Sequence, residues 1–214
     1  MSDTGCPPDG SGAYPSDCEL TQGLLARARE VREPPPRSEE WAKALPRARQ
    51  VELLLLDVDG VLTDGTIVYT PDGGESKGFN TQDGFGLRIL REAGIKAGLI
   101  TARTSEAVSR RAADLGLEYV FQGAGSKLEI YEEVLRSTGL RPPQTAYMGD
   151  DWLDLPLLSR VGLALAPANA VPEVQLRAHY VTTRSGGHGA VREACDLILH
   201  ARGRLETLLR TYSR

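Results

Sequence analysis

The sequence predicts an α/β fold: a doubly wound parallel sheet with a small β-hairpin insertion and no cap domain. Three observations carry that prediction. From residue 51 onward, short apolar runs of strand length alternate with segments of helical periodicity, as in a sheet covered by helices on both faces. The runs are apolar throughout, as strands buried on both sides are. Several end abruptly in polar residues, and in such a sheet the carboxyl ends of the strands line one crevice.

The elements follow in order. Residues 1–37 are rich in Gly, Pro, Ser, Asp and Glu, with Pro34-Pro35-Pro36 near their end, and cannot bury enough apolar surface to fold alone. They read as a disordered N-terminal extension, in which 20–31 has the pattern of a short, mildly basic helix. Ser38 with Glu39 and Glu40 then starts a helix whose apolar face is Trp41, Ala44 and Leu45. A buried strand covers 51–56. The β-prone runs 66–69 and 76–79 flank Pro71-Asp72-Gly73-Gly74 and form the hairpin. Helical spacing over 83–93 stops at Gly94. Further strands are expected over 95–100, 119–121, 145–148, 161–165 and 180–181, and further helices over 105–115, 126–135, 151–158 and 190–200. The folded domain is 38–203, with 204–214 as a C-terminal tail.

Composition narrows the function. The 214 residues carry a net charge of −4, and no Lys/Arg run gives the footprint of a nucleic-acid binder. Cys6, Cys18 and Cys195 are widely spaced with no CxxC, which suits a reducing compartment better than a disulfide scaffold or a zinc site. There is no secretion-signal pattern and no apolar run of membrane-spanning length. A cytoplasmic location is expected.

The chemistry starts at Leu53-Leu54-Leu55-Leu56-Asp57-Val58-Asp59-Gly60. Residues two apart on a strand point the same way, so Asp57 and Asp59 leave its end close together. Two carboxylates that close repel unless a positive charge sits beside them. Other strand ends supply candidates: Thr101 and Arg103 after Leu99-Ile100, Lys127 in the first turn of a helix, and Gly149-Asp150-Asp151-Trp152-Leu153-Asp154 after a third strand. Singly, each has an ordinary structural explanation as a turn, a cap or a solvated residue. Together they suit phosphoryl transfer. Carboxylates from separate strands hold Mg²⁺ and offset the repulsion with an incoming phosphate. Lys127 and Thr101 bind the phosphate. An aspartate serves as nucleophile through an aspartyl-phosphate, and Asp59 is placed to protonate the leaving oxygen and then to activate water.

These residues resemble the haloacid dehalogenase superfamily of phosphotransferases. Its first motif, DxDGxxTDG, is matched from Asp57 to Gly65; its second is the strand-end Thr101, its third Lys127, and its fourth, GDDxxD, runs from Gly149 to Asp154. The resemblance implies that Asp57 attacks phosphorus and that Asp59 is the general acid/base. It further implies that Mg²⁺ is held by the Asp57 carboxylate, the Asp59 carbonyl and Asp150, with Asp151 supporting from the second shell. From about residue 41 to 203 the chain is similar to a small capless branch containing the 3-deoxy-D-manno-octulosonate 8-phosphate phosphatases of lipopolysaccharide precursor synthesis. Lys77-Gly78-Phe79-Asn80, Asp83-Gly84-Phe85-Gly86-Leu87-Arg88 and Gly186-Gly187-His188-Gly189 carry that likeness. It implies a sugar-acid phosphate as substrate and a homotetramer in which a neighbour's hairpin and C-terminal segment cover the site.

Arg103 stands where the related phosphatases of nonulosonate 9-phosphates have glutamate. It is the candidate for pairing with a sugar-acid carboxylate, with Arg111 a second candidate of the same kind. Ala102 replaces the usual glycine of the branch, and His188 replaces an arginine that is common in its GG-x-G loop, making a substrate contact there weaker and pH-dependent. The alternatives to an octulosonate phosphatase are a nonulosonate 9-phosphate phosphatase and a non-catalytic regulatory protein on the same fold.

Overall fold

The strands of the computed structural model are β1 (Leu53–Leu56), β2 (Val68–Tyr69), β3 (Glu75–Ser76), β4 (Lys96–Ile100), β5 (Tyr119–Phe121), β6 (Thr145–Met148), β7 (Leu163–Ala166) and β8 (Tyr180–Val181). The helices are α1 (Glu39–Ala48), α2 (Thr81–Glu92), α3 (Glu106–Leu115), α4 (Lys127–Thr138), α5 (Leu155–Leu158), α6 (Pro172–Gln175), α7 (Ala190–Ala201) and α8 (Leu205–Tyr212). The structure describes residues 20–23 and 37–213. The extension expected over 1–37 therefore lies outside the described residues, apart from Arg37 and 20–23, which are helical and exposed.

Six strands form one parallel sheet in the order β5-β4-β1-β6-β7-β8. The chain builds outward from β1 through β4 and β5, then returns to the other side of β1 with β6. That reversal opens a crevice at the carboxyl ends of β1 and β6, where ligands bind in open α/β sheets. All four residues of β1 are buried, because both faces of the sheet are covered. Leu54 and Leu56 join a core with α1, α2, α3 and α7, while Leu53 and Leu55 join a second core with α4 and α5. Trp41 is anchored in the first core: its ring meets Tyr180 edge-on, and its Nε1–H donates to His200 Nδ1 at 3.1 Å.

Helix ends follow local chemistry. Ser38, Asn80 and Ser126 accept backbone N–H bonds as N-caps of α1, α2 and α4. Gly116 and Gly139 close α3 and α4 in the left-handed conformation.

Three differences from the sequence expectation have physical reasons. Residues 204–214, read as a tail, contain α8. Leu205, Leu208, Leu209 and Tyr212 recur at helical spacing, Leu205 and Leu208 pack on the core, and Tyr212 meets Phe85 edge-on. The single helix expected over 151–158 is a 3₁₀ turn (Trp152–Asp154) followed by α5, with the Asp154 side chain folded back on the N–H groups of Asp150 and Asp151 just before the turn. The hairpin strands are shorter than expected, pairing Val68 with Ser76 and Tyr69 with Glu75. Among the described residues the hairpin is the only addition to the layered domain, which agrees with a fold lacking a cap.

Leu55 supports the second core from a fully buried site. Leu55→Ala is expected to cost about 2–5 kcal/mol of unfolding free energy, read as a lower urea midpoint at unchanged slope.

Candidate active site

Asp57 is the first residue beyond β1, and its N–H donates to Met148 C=O of β6 at 2.9 Å. The chain then turns sharply: the N–H groups of Val61, Leu62 and Thr63 all aim at Val58 C=O at 3.3, 2.9 and 3.0 Å. This turn needs Gly60, whose φ is 81° and whose missing Cβ would lie 2.0 Å from Asp150 Oδ2. Asn169 pins the turn from below, donating to Gly60 C=O at 3.0 Å and accepting from Gly186 N–H at 2.6 Å. The loops after β1, β7 and β8 are therefore interlocked.

Three carboxylates converge in the crevice. One oxygen from each of Asp57, Asp150 and Asp154 lies within 4.8 Å of the others. Lys127 Nζ sits among them, 2.7 Å from Asp57 Oδ2 and 2.7 Å from Asp154 Oδ1. Asp154 is wholly buried and fully engaged. Its Oδ1 also accepts the Tyr147 hydroxyl at 2.5 Å, and its Oδ2 accepts the N–H groups of Asp150 and Asp151 at 2.9 and 3.2 Å. No lone-pair direction remains for a metal, so Asp154 organises the site rather than ligating. Asp57 Oδ1 accepts the Val58 N–H at 2.7 Å and Oδ2 meets Lys127, so each oxygen keeps a lone pair for a ligand, as Asp150 does.

The electrostatics agree. Burial pushes the Asp57 carboxyl up to about 6, with Lys127 opposing and Asp154 reinforcing. Burial pushes Asp150 up to about 7, reinforced by Asp57, Asp154 and Asp151. Burial alone would lower Lys127, but Asp57 and Asp154 hold it above the usual lysine value. Tyr147 is pushed well up by burial and by Asp154, and so stays a hydrogen-bond donor. One ammonium does not neutralise three crowded carboxylates. A hard divalent cation between Asp57 and Asp150 would, and Mg²⁺ fits this all-oxygen donor set.

Thr101 ends β4, next to β1 in the sheet. It is buried, and its Oγ1 accepts Arg103 N–H at 3.3 Å. Asp59 is not alone. Its Oδ1 accepts from Lys77 Nζ of the hairpin, and its Oδ2 lies 3.6 Å from Arg103 Nε. Glu75 bridges the same two cations, 3.0 Å from Lys77 Nζ and 2.5 Å from Arg103 Nη2.

The structure thus brings together Asp57, Asp59, Thr101, Arg103, Lys127 and Asp150. It does not bring in Arg111 or His188. Arg111 donates to Asn80 C=O at 3.2 Å and lies over Phe79, lining a cleft against Gly84, Arg88 and Arg91. His188 lines a cleft at the base of the hairpin with Asp64, Thr66 and Asn80. Asp151, expected to support a metal, instead caps the N–H of Trp152 at 2.7 Å; Asp154 has the supporting position.

Sequence reasoning gave no role to Asp154, Tyr147, Lys77, Glu75 or Asn169. Asp154 was visible four residues after Asp150. Glu75 in β3 and Lys77 just beyond it are charged residues two apart in extended chain, which signals a shared face but not which element they meet.

Comparison with known proteins follows the same lines. Residues 117–193 match the family model described as haloacid dehalogenase-like hydrolase. The chain is 46% identical over 160 residues to 3-deoxy-D-manno-octulosonate 8-phosphate phosphatase KdsC of Yersinia pestis, covering 75% of this chain and 86% of that one. It is 43% identical over 165 residues to the Escherichia coli K12 enzyme of the same name, covering 77% and 88%. Among solved structures, that of the Moraxella catarrhalis 3-deoxy-D-manno-octulosonate 8-phosphate phosphatase, in complex with magnesium, phosphate and KDO, superposes with a TM-score of 0.78. It is 37% identical, covering 79% of this chain and 97% of that one.

The raised carboxyl groups give a pH test. An aspartate in the unfolded chain titrates near 4, so between about pH 4 and 7 the metal-free native state binds more protons than the unfolded one. Native stability from this source therefore falls as pH rises through that window. Thermal unfolding without metal should show this fall, and saturating Mg²⁺ should flatten it. An identical pH profile with and without Mg²⁺ would contradict a metal site at Asp57 and Asp150.

Proposed function

The chain belongs to the haloacid dehalogenase-like hydrolases, and on that premise we propose that it is a Mg²⁺-dependent phosphatase of 3-deoxy-D-manno-octulosonate 8-phosphate. The observation that carries the reaction type is Asp57 at the end of β1, with Lys127 2.7 Å from its carboxylate and Asp150 beside it. The substrate rests on the curated relatives and on Arg103 at the site.

Mg²⁺ supplies charge neutralisation for the phosphate and for the Asp57–Asp150 pair. The protein's own groups do the rest. The Asp57 carboxylate attacks phosphorus, and the bond to the sugar oxygen breaks as Asp59 delivers a proton to it. Water then attacks the aspartyl-phosphate, Asp59 takes the water's proton, and the Asp57 carboxylate leaves. The products are 3-deoxy-D-manno-octulosonate and phosphate. Lys127, held by Asp154 and Tyr147, and the Thr101 hydroxyl bind the phosphate oxygens, with their positions set before substrate arrives. Arg103 faces the sugar acid.

The reading extends to assembly and location. A homotetramer is supported by Arg111 and His188, which line surface clefts apart from Asp57 and Asp150, where a neighbour's site can reach them. The exposed Val68 and Tyr69 of the hairpin suit burial against a second copy. A cytoplasmic location is supported by the buried free thiol of Cys195. No helix among the described residues is long and apolar enough to cross a membrane.

Two measurements test the reading. Asp57→Asn should lower kcat by about a thousandfold or more with the circular dichroism spectrum unchanged; retained turnover would remove Asp57 from the nucleophile role. The wild-type kcat/KM for octulosonate 8-phosphate should exceed that for a nonulosonate 9-phosphate. The reverse order would transfer the protein to the nonulosonate phosphatases.

A further inference from the structure

The hairpin contributes more to the site than a cover. Lys77 is almost completely buried, with 1% of its side chain exposed, although it follows a short strand on the outside of the domain. With Glu75 it closes a ring of alternating charge. Asp59 contacts Lys77, Lys77 lies 3.0 Å from Glu75, Glu75 lies 2.5 Å from Arg103, and Arg103 Nε lies 3.6 Å from Asp59. The ring holds two carboxylates and two cations. Asp59 is the one member that belongs to a haloacid-dehalogenase motif, and Glu75 has no part in phosphate chemistry.

Glu75 meets the guanidinium at one edge. Glu75 accepts from Nη2, Tyr69 also lies against the guanidinium, and Nε is buried, beyond hydrogen-bond distance of Asp59, with no hydrogen-bond partner. A guanidinium has five donors in a rigid fork, so an anchor at one edge fixes its plane and leaves another edge for a second carboxylate. The same Glu75 carboxylate keeps two cations close together that would otherwise separate. Its negative charge and that of Asp59 balance the two cations, so the ring as a whole carries no net charge.

We propose that Glu75 is a positioning residue for substrate choice, holding Arg103 in the orientation that receives the carboxylate of the sugar acid. The proposal rests on the reading of Arg103 as the sugar-acid contact. It gives the hairpin a task beyond excluding water: the hairpin sets selectivity from its own subunit, through an ion pair.

Glu75→Gln keeps the shape and removes the charge. Steady-state kinetics with octulosonate 8-phosphate and with p-nitrophenyl phosphate, which lacks a carboxylate, give a selectivity ratio of kcat/KM values. Because charge-assisted hydrogen bonds are roughly twice as strong as neutral ones, Glu75→Gln should lower that ratio about tenfold, mainly through KM for the sugar acid. In an Arg103→Ala background the same substitution should leave the ratio where Arg103→Ala puts it. An equal fall for both substrates would mean a merely structural role and overturn the proposal. So would a rise in the ratio, which would make Glu75 a competitor of the substrate. A wild-type enzyme that ignores octulosonate 8-phosphate would instead overturn the substrate reading. The comparison of wild type with variant keeps the two failures apart.

Discussion

Three carboxylates share one ammonium group at the mouth of the β1–β6 crevice, and the rest of the site is arranged around that imbalance. Lys127 contacts Asp57 and Asp154 at the same distance, so neither acid has it alone. Asp154 is compensated further by Tyr147 and two backbone N–H groups. Asp57 has one backbone N–H, from Val58, and burial with the neighbouring carboxylates still raises both Asp57 and Asp150. A buried group left short of counter-charge costs folding free energy. The fold accepts that cost where a divalent ion and a phosphate bring the missing charges.

The imbalance also explains the tight loop geometry. Bringing Asp150 against the turn after Asp57 leaves no volume for a side chain at residue 60, since a Cβ there would overlap Asp150. The Gly186 backbone comes equally close to Gly60 C=O, where an added Cβ would stand 1.8 Å away. Asn169 ties both loops with one side chain, donating to one and accepting from the other. Carboxylates that repel stay together because the backbone beneath them cannot open without breaking this lock.

How legible the site was in the sequence depends on how each residue reaches it. Asp57, Thr101, Lys127 and Asp150 sit at strand ends or in the first turn of a helix, and the periodicity that marks the strands marks them too. Four leucines buried on both faces made β1 unmistakable, and its end placed Asp57. Asp154 was harder to read, because its function is to fold back on Asp150, which a helical reading of 151–158 hides. Lys77 and Glu75 were legible as a signature but not as contacts. They reach Asp59 and Arg103 from a hairpin whose docking depends on tertiary geometry. Arg111 and His188 show the same limit in the opposite direction, since spacing alone cannot say that they line clefts apart from their own subunit's carboxylates. In α8 the apolar spacing was present, and it lost only to the expectation that a chain end is a tail.

On the proposed reading, phosphate chemistry and substrate choice fall to different parts of the chain. The carboxyl ends of the buried strands supply the first through Asp57, Thr101 and Asp150, with Lys127 from the first turn of α4. The hairpin supplies the second through Glu75 and Lys77, on two short strands whose own apolar residues, Val68 and Tyr69, remain exposed. Apolar packing contributes little to holding such a hairpin in place. Its charged ring holds it instead, and that ring closes on Asp59, the proposed proton donor. A change in the hairpin's position alters Arg103 and Asp59 together. In the proposed mechanism, recognition of the sugar acid and protonation of its leaving oxygen are thus linked through one small set of ion pairs, while the nucleophile and the phosphate contacts stay fixed at the carboxyl ends of the strands and the start of α4.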